Sequence, residues 1–129
     1  MSLLKILQAD YARFPKDQTY SIYAPDVRFK DPLNEFQGID RYQKMIGFIE
    51  AWFIDPKLDL HEIEQCDRKI TTRWTLSWTV PLPWKPHISI SGWSELEINS
   101  DDLIVSHVDY WHDSKLAVLK QVFQKQAGV

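Results

Sequence analysis

The sequence has few cysteines, no basic run and no long apolar run, and several common classes of protein depend on these features. A single cysteine, Cys66, stands among 129 residues, so no disulfide can form within the chain, and we expect a reducing compartment. No run of Lys or Arg exceeds two residues and the net charge is −3. Since a phosphate backbone is bound by a basic stripe, we expect no nucleic-acid partner. No apolar run approaches the roughly 20 residues that cross a bilayer, so we expect no membrane partner.

Motifs for metals and cofactors are also missing. The four histidines, at positions 61, 87, 107 and 112, do not have the spacing of metal ligands. The chain contains no Gly-rich phosphate loop, no Gly-x-Ser-x-Gly and no dinucleotide fingerprint. We therefore predict no metal and no cofactor. The N-terminal segment MSLLKILQAD becomes acidic too early for a signal peptide, so we expect a cytoplasmic protein.

What is present is the composition of a globular domain, with 44% hydrophobic and 26% charged residues. The length is typical of one domain, and we predict a single domain over residues 1–129. Apolar residues at three-to-four-residue spacing predict helices over 3–14, after Gly38 to about 53, and over 115–124. TYSIYAPD, at 19–26, is interpreted as a short additional helix that ends before Pro25.

Alternation with a period of two predicts strands. The first is VRFKDP at 27–32, and four more follow in succession, at 58–67, 69–80, 87–98 and 103–112. This order predicts an α+β fold in which a curved antiparallel sheet wraps around the N-terminal helices as a cone. Such a cone often leaves a cavity between sheet and helices, where a ligand binds.

The segments YAPDVRFKDP, QGIDRYQKMIGFIEAWF and LIVSHVDYWHDSKLAVLKQVF resemble, in order and spacing, the nuclear transport factor 2-like superfamily, whose fold is a cystatin-like cone. SnoaL-type polyketide cyclases, ketosteroid isomerases and limonene epoxide hydrolases belong to it, as do proteins without catalysis. The chain is most similar to an uncharacterised family, a domain of unknown function, of cyanobacteria and plants. Because this fold carries many activities, each site residue must be considered separately.

The resemblance to ketosteroid isomerases implies a general base at Asp31, because their base closes the first strand in a similar Asp-Pro dipeptide. Val27, Phe29 and Asp31 share one face of this strand, so Asp31 would line the cavity and Phe29 would contact the ligand. The alternative is that Asp31-Pro32 forms only a turn, which is the usual role of this dipeptide.

The same isomerases need a tyrosine on the first helix and a protonated acid on a later strand. Tyr11 is the candidate for the tyrosine. At the position of the acid, SGWSE offers Trp93 and Ser94, so we predict Trp93 as a ligand contact and do not predict a complete isomerase site.

Arg73, in TTRWTLSW, is similar to the arginine of the cyclases and epoxide hydrolases, and Asp109, in HVDYW, matches an aspartate on their last strand. If both point inward they should pair. They would then be catalytic, or they would form a structural ion pair. The hydrolases carry a second aspartate where this chain has Thr75, so we predict Thr75 as a ligand contact and do not predict epoxide hydrolysis.

Plain alternation and the resemblance disagree on this strand. Alternation would turn Trp74, Leu76 and Trp78 toward the core and Arg73 toward water. The resemblance turns Arg73 inward and leaves the tryptophans on the outer face. We follow the resemblance here. Because exposed tryptophans would form a costly apolar patch, a homodimer that covers them is expected.

On the last strand, an inward Asp109 places His107 and Trp111 on the same side, where they would contact the ligand. His107 is either an acid–base partner or a structural residue. The predicted function is to bind a small, largely apolar ligand. One alternative is an isomerase, dehydratase or cyclase that transfers protons through Asp31 or Asp109. Another is a protein-interaction or assembly subunit that uses the PLPWKP loop and the Trp74/Trp78 face.

Overall fold

The computed structural model describes residues 2–124, which form one six-stranded sheet with helices on its concave face. The helices are α1 (Leu3–Arg13), α2 (Ile39–Trp52) and α3 (Lys115–Lys120). The strands are β1 (Tyr23–Lys30), β2 (Glu35–Gln37), β3 (Ile54–Cys66), β4 (Lys69–Thr79), β5 (His87–Ile98) and β6 (Ile104–Trp111). Two 3-10 turns, Tyr20–Ile22 and Gln121–Phe123, complete the order.

The strands lie in the order β2-β1-β6-β5-β4-β3. All neighbours are antiparallel except β1 and β6, which pair in parallel with Phe29 opposite His107. The predicted α+β cone is confirmed, with the difference that its sheet is mixed. The sheet curves without closing, α1 packs on β3 and α2 packs on β1.

The helix boundaries follow local chemistry. Ser2 caps α1 because its hydroxyl accepts the backbone N–H of Lys5 at 3.3 Å. Helix α2 begins after Gly38, whose φ of 112° is a backbone conformation that a side chain would disfavour. Ser114 caps α3 by accepting the backbone N–H of Ala117 at 3.1 Å. The predicted helices are therefore confirmed, although the last one ends as a 3-10 turn and leaves Leu116, Leu119 and Phe123 of its predicted apolar side exposed.

The helix predicted over 19–26 is wrong. Only one 3-10 turn forms there, and strand β1 already begins at Tyr23. The register of β1 against β6 is irregular between Tyr23 and Arg28. Pro25 lies in this irregular part, where its missing N–H breaks no regular ladder. The three-residue strand β2, which pairs with β1 as a hairpin, was not predicted.

Strand β4 alternates as the residue pattern alone suggests, and not as the resemblance implied. Ile70, Thr72 and Trp74 are buried on the concave face, whereas Arg73 is exposed on the convex face. The core includes the residues Leu7, Val27, Ile70, Trp74, Ile90, Leu96 and Ile104. The tryptophans of β4 therefore belong to the interior of one chain.

The C-terminal segment is tied to the sheet and to the proline-rich loop. The side chain of Gln121 bonds to both backbone groups of Ser89, at 2.7 and 3.0 Å. The indole of Trp84, in PLPWKP, donates to the carbonyl of Val122 at 2.6 Å. These contacts hold α3 over the concave face, where Val118 is buried.

Candidate ligand cavity

A cavity of about 380 Å³ lies between the concave face of the sheet and the three helices. Its apolar walls include Leu7 from α1, Ile46 and Ile49 from α2, Ile88 and Ile90 from β5. Three of the six tryptophans, Trp74, Trp78 and Trp111, also line it. The walls are apolar because alternate residues of the strands are apolar and face the cavity, and the helices turn their apolar stripes toward the same space.

A chain of polar side chains crosses the strands on this concave face. The indole N–H of Trp74 donates to Ser94 Oγ at 2.8 Å, and Ser94 Oγ lies 2.5 Å from Asp109 Oδ1. His107 Nε2 lies 2.8 Å from the same oxygen. Because an indole nitrogen only donates, Ser94 accepts from it and is left to donate its own proton to Asp109. The Asp109 side chain is 19% exposed, and His107 is 6% exposed.

His107 is surrounded by aromatic rings. The ring centroid of Phe29 lies 4.9 Å from that of His107, and those of Tyr42 and Tyr23 lie at 6.1 and 6.4 Å. The second ring nitrogen of His107, Nδ1, is buried and has no hydrogen-bond partner within residues 2–124. An unpaired buried polar atom costs free energy. His107 therefore carries a buried polar atom whose hydrogen bond is unmade within residues 2–124.

Three buried tyrosines stand near Asp109. Burial, and then the charge of Asp109, raises the pKa of Tyr11 to about 12, although its hydroxyl bonds to Thr72 Oγ1 at 3.0 Å. Burial also raises the pKa of Tyr23 and of Tyr42. All three hydroxyls are therefore protonated at neutral pH.

Asp31 lies where the cavity opens, and its carboxylate closes a turn. Its Oδ1 accepts the backbone N–H groups of Leu33 and Asn34 at 2.8 and 2.6 Å. The Asn34 side chain adds contacts of 3.2 and 3.3 Å. This geometry supports the turn alternative for Asp31-Pro32, because Oδ1 is engaged by the backbone of the turn.

The structure contradicts the predicted pairing of Arg73 with Asp109. Arg73 Nη1 instead lies 2.9 Å from Glu62 Oε2 on the convex face, and both side chains are more than half exposed. The physical reason is the period of two, since a strand that buries Trp74 must turn its neighbour outward.

Thr75 and Trp93 were also predicted as ligand contacts, and both lie on the convex face. Thr75 Oγ1 bonds to His61 and to Ser91, at 2.8 and 3.0 Å. Trp93 stacks on Tyr110 with ring centroids 5.0 Å apart. Their predicted place in the cavity is therefore wrong. Tyr11, Phe29, His107, Asp109 and Trp111 do line the cavity, and their roles stay predictions.

Sequence reasoning missed several residues of the cavity. Tyr42 lies within the helix predicted after Gly38 and lines the cavity, but it was not predicted as part of a site. Ser94 was named at the position of the isomerase acid but was not predicted as a site residue, because its contact with Trp74 depends on the β4–β5 register. Asp10 is 3% exposed and bonds to Arg13 and Thr19, which ties the end of α1 to the following loop.

Within the described residues, no group of three or more His, Cys, Asp or Glu side chains is placed to hold a metal ion. No helix among residues 2–124 has both the length and the apolar character needed to span a membrane.

A family model described as Uncharacterized conserved protein (DUF2358) matches residues 1–107. The chain belongs to this family. The predicted membership of an uncharacterised family, a domain of unknown function, is therefore confirmed, whereas the family's occurrence in cyanobacteria and plants stays a prediction. No curated protein matches this DUF2358 chain.

Solved structures share the fold of the DUF2358 chain at low identity. A protein of a Jannaschia species described as a SnoaL-like polyketide cyclase is 9% identical, with a TM-score of 0.76 over 95% of this chain and 92% of that one. An epoxide hydrolase of the LEH-like type from M. tuberculosis is 12% identical, with a TM-score of 0.71 over 93% and 86%. A Catenulispora acidiphila protein with a ketosteroid isomerase-like fold, in complex with trimethylamine, is 14% identical, with a TM-score of 0.72 over 92% and 89%.

Proposed function

We propose that the protein binds a small, largely apolar ligand in the cavity between the sheet and the helices. The observation that carries this proposal is the cavity itself, about 380 Å³ in volume with apolar walls and one polar end. Ligand pockets in proteins typically have volumes of roughly 300–1,000 Å³ and combine apolar walls with a few polar groups that orient the ligand. Ser94, His107 and Asp109 are the polar groups here.

The similar structures support binding as a class of function. One protein of this fold is described as a complex with a small organic molecule, trimethylamine, and others are described as enzymes of small organic substrates. The DUF2358 chain has the cavity that such functions require.

Calorimetric titration with 2-naphthalenemethanol, an apolar probe with one hydroxyl, tests the proposal. We expect saturable binding to the wild type. Ile49→Trp should reduce binding strongly because Ile49 lines the cavity and a larger ring fills it. Gln43→Trp is the matched control, since Gln43 is exposed on the same helix. No binding to the wild type, or equal affinity in both variants, would contradict the proposal.

The alternative function is an isomerase, dehydratase or cyclase with Asp109 as the proton carrier. It is favoured by the position of Asp109, which lines an apolar cavity with His107 Nε2 at 2.8 Å from its Oδ1. A carboxylate in such surroundings can take a proton from a carbon acid, and the imidazole can orient it. Asp31 is the weaker candidate, because its Oδ1 closes the turn at 31–34.

Exchange of the α-protons of 2-tetralone with D2O, followed by NMR, separates the two functions. An enzyme should accelerate the exchange, and Asp109→Asn should abolish the acceleration while Glu62→Gln, on the convex face, should not. Loss of exchange in Asp31→Asn instead would assign the base to Asp31. Wild-type exchange at the rate of buffer alone would contradict the enzymatic alternative.

Two broader expectations stay predictions. One is a single domain over residues 1–129. The other is a homodimer. It was expected because Trp74 and Trp78 would be exposed on the outer face, but both line the interior cavity. The interior position of these tryptophans also weakens the alternative of an assembly subunit.

The surface that a dimer would cover is formed by aromatic residues of the convex face, Trp93 and the 38%-exposed Tyr110. Sedimentation equilibrium of the wild type and Trp93→Ser tests this: a wild-type monomer would end the dimer prediction.

A further inference from the structure

The charged side chains that line the cavity all have the same sign. They are Asp10, Asp31 and Asp109, and no Lys or Arg of residues 2–124 is among the lining residues. Asp10 is paired with Arg13 at 2.6 Å, and Asp31 is bonded to backbone N–H groups. Asp109 has neither, because its neighbours on the concave face are Ser94 and His107. The cavity therefore contains one carboxylate without a Lys or Arg partner.

The polar atoms of Asp109 and His107 that make no hydrogen bond within residues 2–124 are acceptors. Both bonds to Asp109 end on Oδ1, so Oδ2 accepts none from the described residues. His107 Nε2 must donate to Asp109, since a carboxylate oxygen only accepts. In the neutral imidazole this leaves Nδ1 as an acceptor, and Nδ1 is the buried atom without a partner. A ligand that bonds to Asp109 Oδ2 must donate the hydrogen bond.

Aromatic faces surround the same end of the cavity. The rings of Tyr23, Phe29 and Tyr42 pack around His107, and all of them line the cavity. Aromatic faces attract cations, and an ammonium group next to both a carboxylate and aromatic rings gains from both. A neutral hydroxyl would satisfy one acceptor but would leave the charge of Asp109 unmatched.

We propose that the ligand is a lipophilic amine whose ammonium group binds Asp109 and whose apolar body fills the cavity. This inference rests on the proposed function and specifies its ligand class. Asp109 supplies the charge and its Oδ2 supplies the free acceptor, and the aromatic rings replace part of the water that the ammonium group loses.

The test compares three probes that share one naphthalene body: 2-naphthylmethylamine, 2-naphthalenemethanol and 2-naphthoate. Each is titrated calorimetrically into the wild type, Asp109→Asn and Glu62→Gln at pH 7.5. Since hydrogen bonds to charged groups are stronger than neutral ones, we expect the amine to bind about tenfold or more tightly than the alcohol. The carboxylate should bind most weakly. Asp109→Asn should remove the preference for the amine and leave alcohol binding within about twofold.

Glu62→Gln is the matched control, because it removes one carboxylate from the convex face and changes the net charge equally. Equal wild-type affinities for the amine and the alcohol would overturn the inference while the proposed function stands. No binding of any probe would overturn both. An amine preference that persists in Asp109→Asn would exclude Asp109 as the recognition group. The wild-type series decides the inference even if Asp109→Asn fails to fold.

Discussion

The two faces of the sheet are built from alternate residues of the same strands, yet they satisfy their polar groups differently. On the concave face, Trp74, Ser94, Asp109 and His107 bond to one another in the interior. On the convex face, polar side chains pair in contact with water, as Arg73 does with Glu62. Hydrogen bonds of similar length on the two faces therefore contribute differently to stability. A group on the convex face can bond to water when its partner is removed, whereas a group in the interior cannot.

Replacement of a tryptophan by alanine should give the largest difference in stability between the two faces. Trp74→Ala should lower the free energy of unfolding by about 3–5 kcal/mol, since it opens a cavity. It also removes the donor to Ser94. Trp93→Ala, on the convex face, should cost clearly less. Urea denaturation of both variants measures the two losses, and comparable values would contradict the assignment of the two faces.

Alkaline pH should lower the free energy of unfolding, because Tyr11 is buried on the concave side. Tyr11 has a pKa of about 12 in the fold, with burial as the main cause, against about 10 in the unfolded chain. Below pH 10 both states are protonated and the full stability is present. As pH rises from 10 through 12, only the unfolded state releases its proton, so stability falls by about 2–3 kcal/mol.

The free energy of unfolding between pH 9 and 12 should therefore fall less steeply in Tyr11→Phe than in the wild type. The slope is compared because the variant also loses the bond to Thr72 at every pH. Tyr110→Phe, on the convex face, serves as the control variant. If Tyr11→Phe keeps the wild-type slope, the buried Tyr11 hydroxyl is not the group responsible.

Gly92 in β5 lies where the neighbouring strand and the core leave no room for a side chain. A Cβ there would overlap the backbone carbonyl oxygen of Tyr110 and lie 3.1 Å from the ring of Trp74. Gly92→Ala should therefore lower the free energy of unfolding by about 1–3 kcal/mol. Gly47→Ala is the matched control, because a Cβ at this exposed helical position meets nothing within 4 Å. It should stabilise by about 0.5–1 kcal/mol, and thermal melts of both variants should shift in opposite directions.

The smallest effect is expected at Arg73. Its pair with Glu62 is exposed on both sides, so Arg73→Ala should change the free energy of unfolding by less than about 1 kcal/mol. A loss of about 3–5 kcal/mol would instead be the mark of a buried pair and would contradict the convex position.

The strand β4 shows what sequence could and could not predict. Its alternation alone places Trp74 inward and Arg73 outward, which the structure confirms. The resemblance to the cyclases and epoxide hydrolases predicted the opposite, and because side chains alternate, a shift of one residue exchanges the two faces of a strand. The strict physical pattern was the better guide here.

Other features depend on contacts that no local pattern contains. The helices α1 and α2 follow from their apolar spacing, and Asp109 with His107 follows from alternation on β6. Strand β2 has three residues, too few for a period to be visible. The hydrogen bond from Trp74 to Ser94 depends on the register of β4 against β5, which is set by the whole sheet.

The parallel pairing of β1 with β6 has a consequence for folding. These strands come from opposite ends of the chain, and Phe29 lies opposite His107 in the pairing. During synthesis the aromatic residues of β1 leave the ribosome long before the strand that will cover them. Closing so large a loop costs entropy before any contact is gained. The end of the cavity around Phe29 and His107 therefore forms only after β6, near the end of synthesis, has left the ribosome.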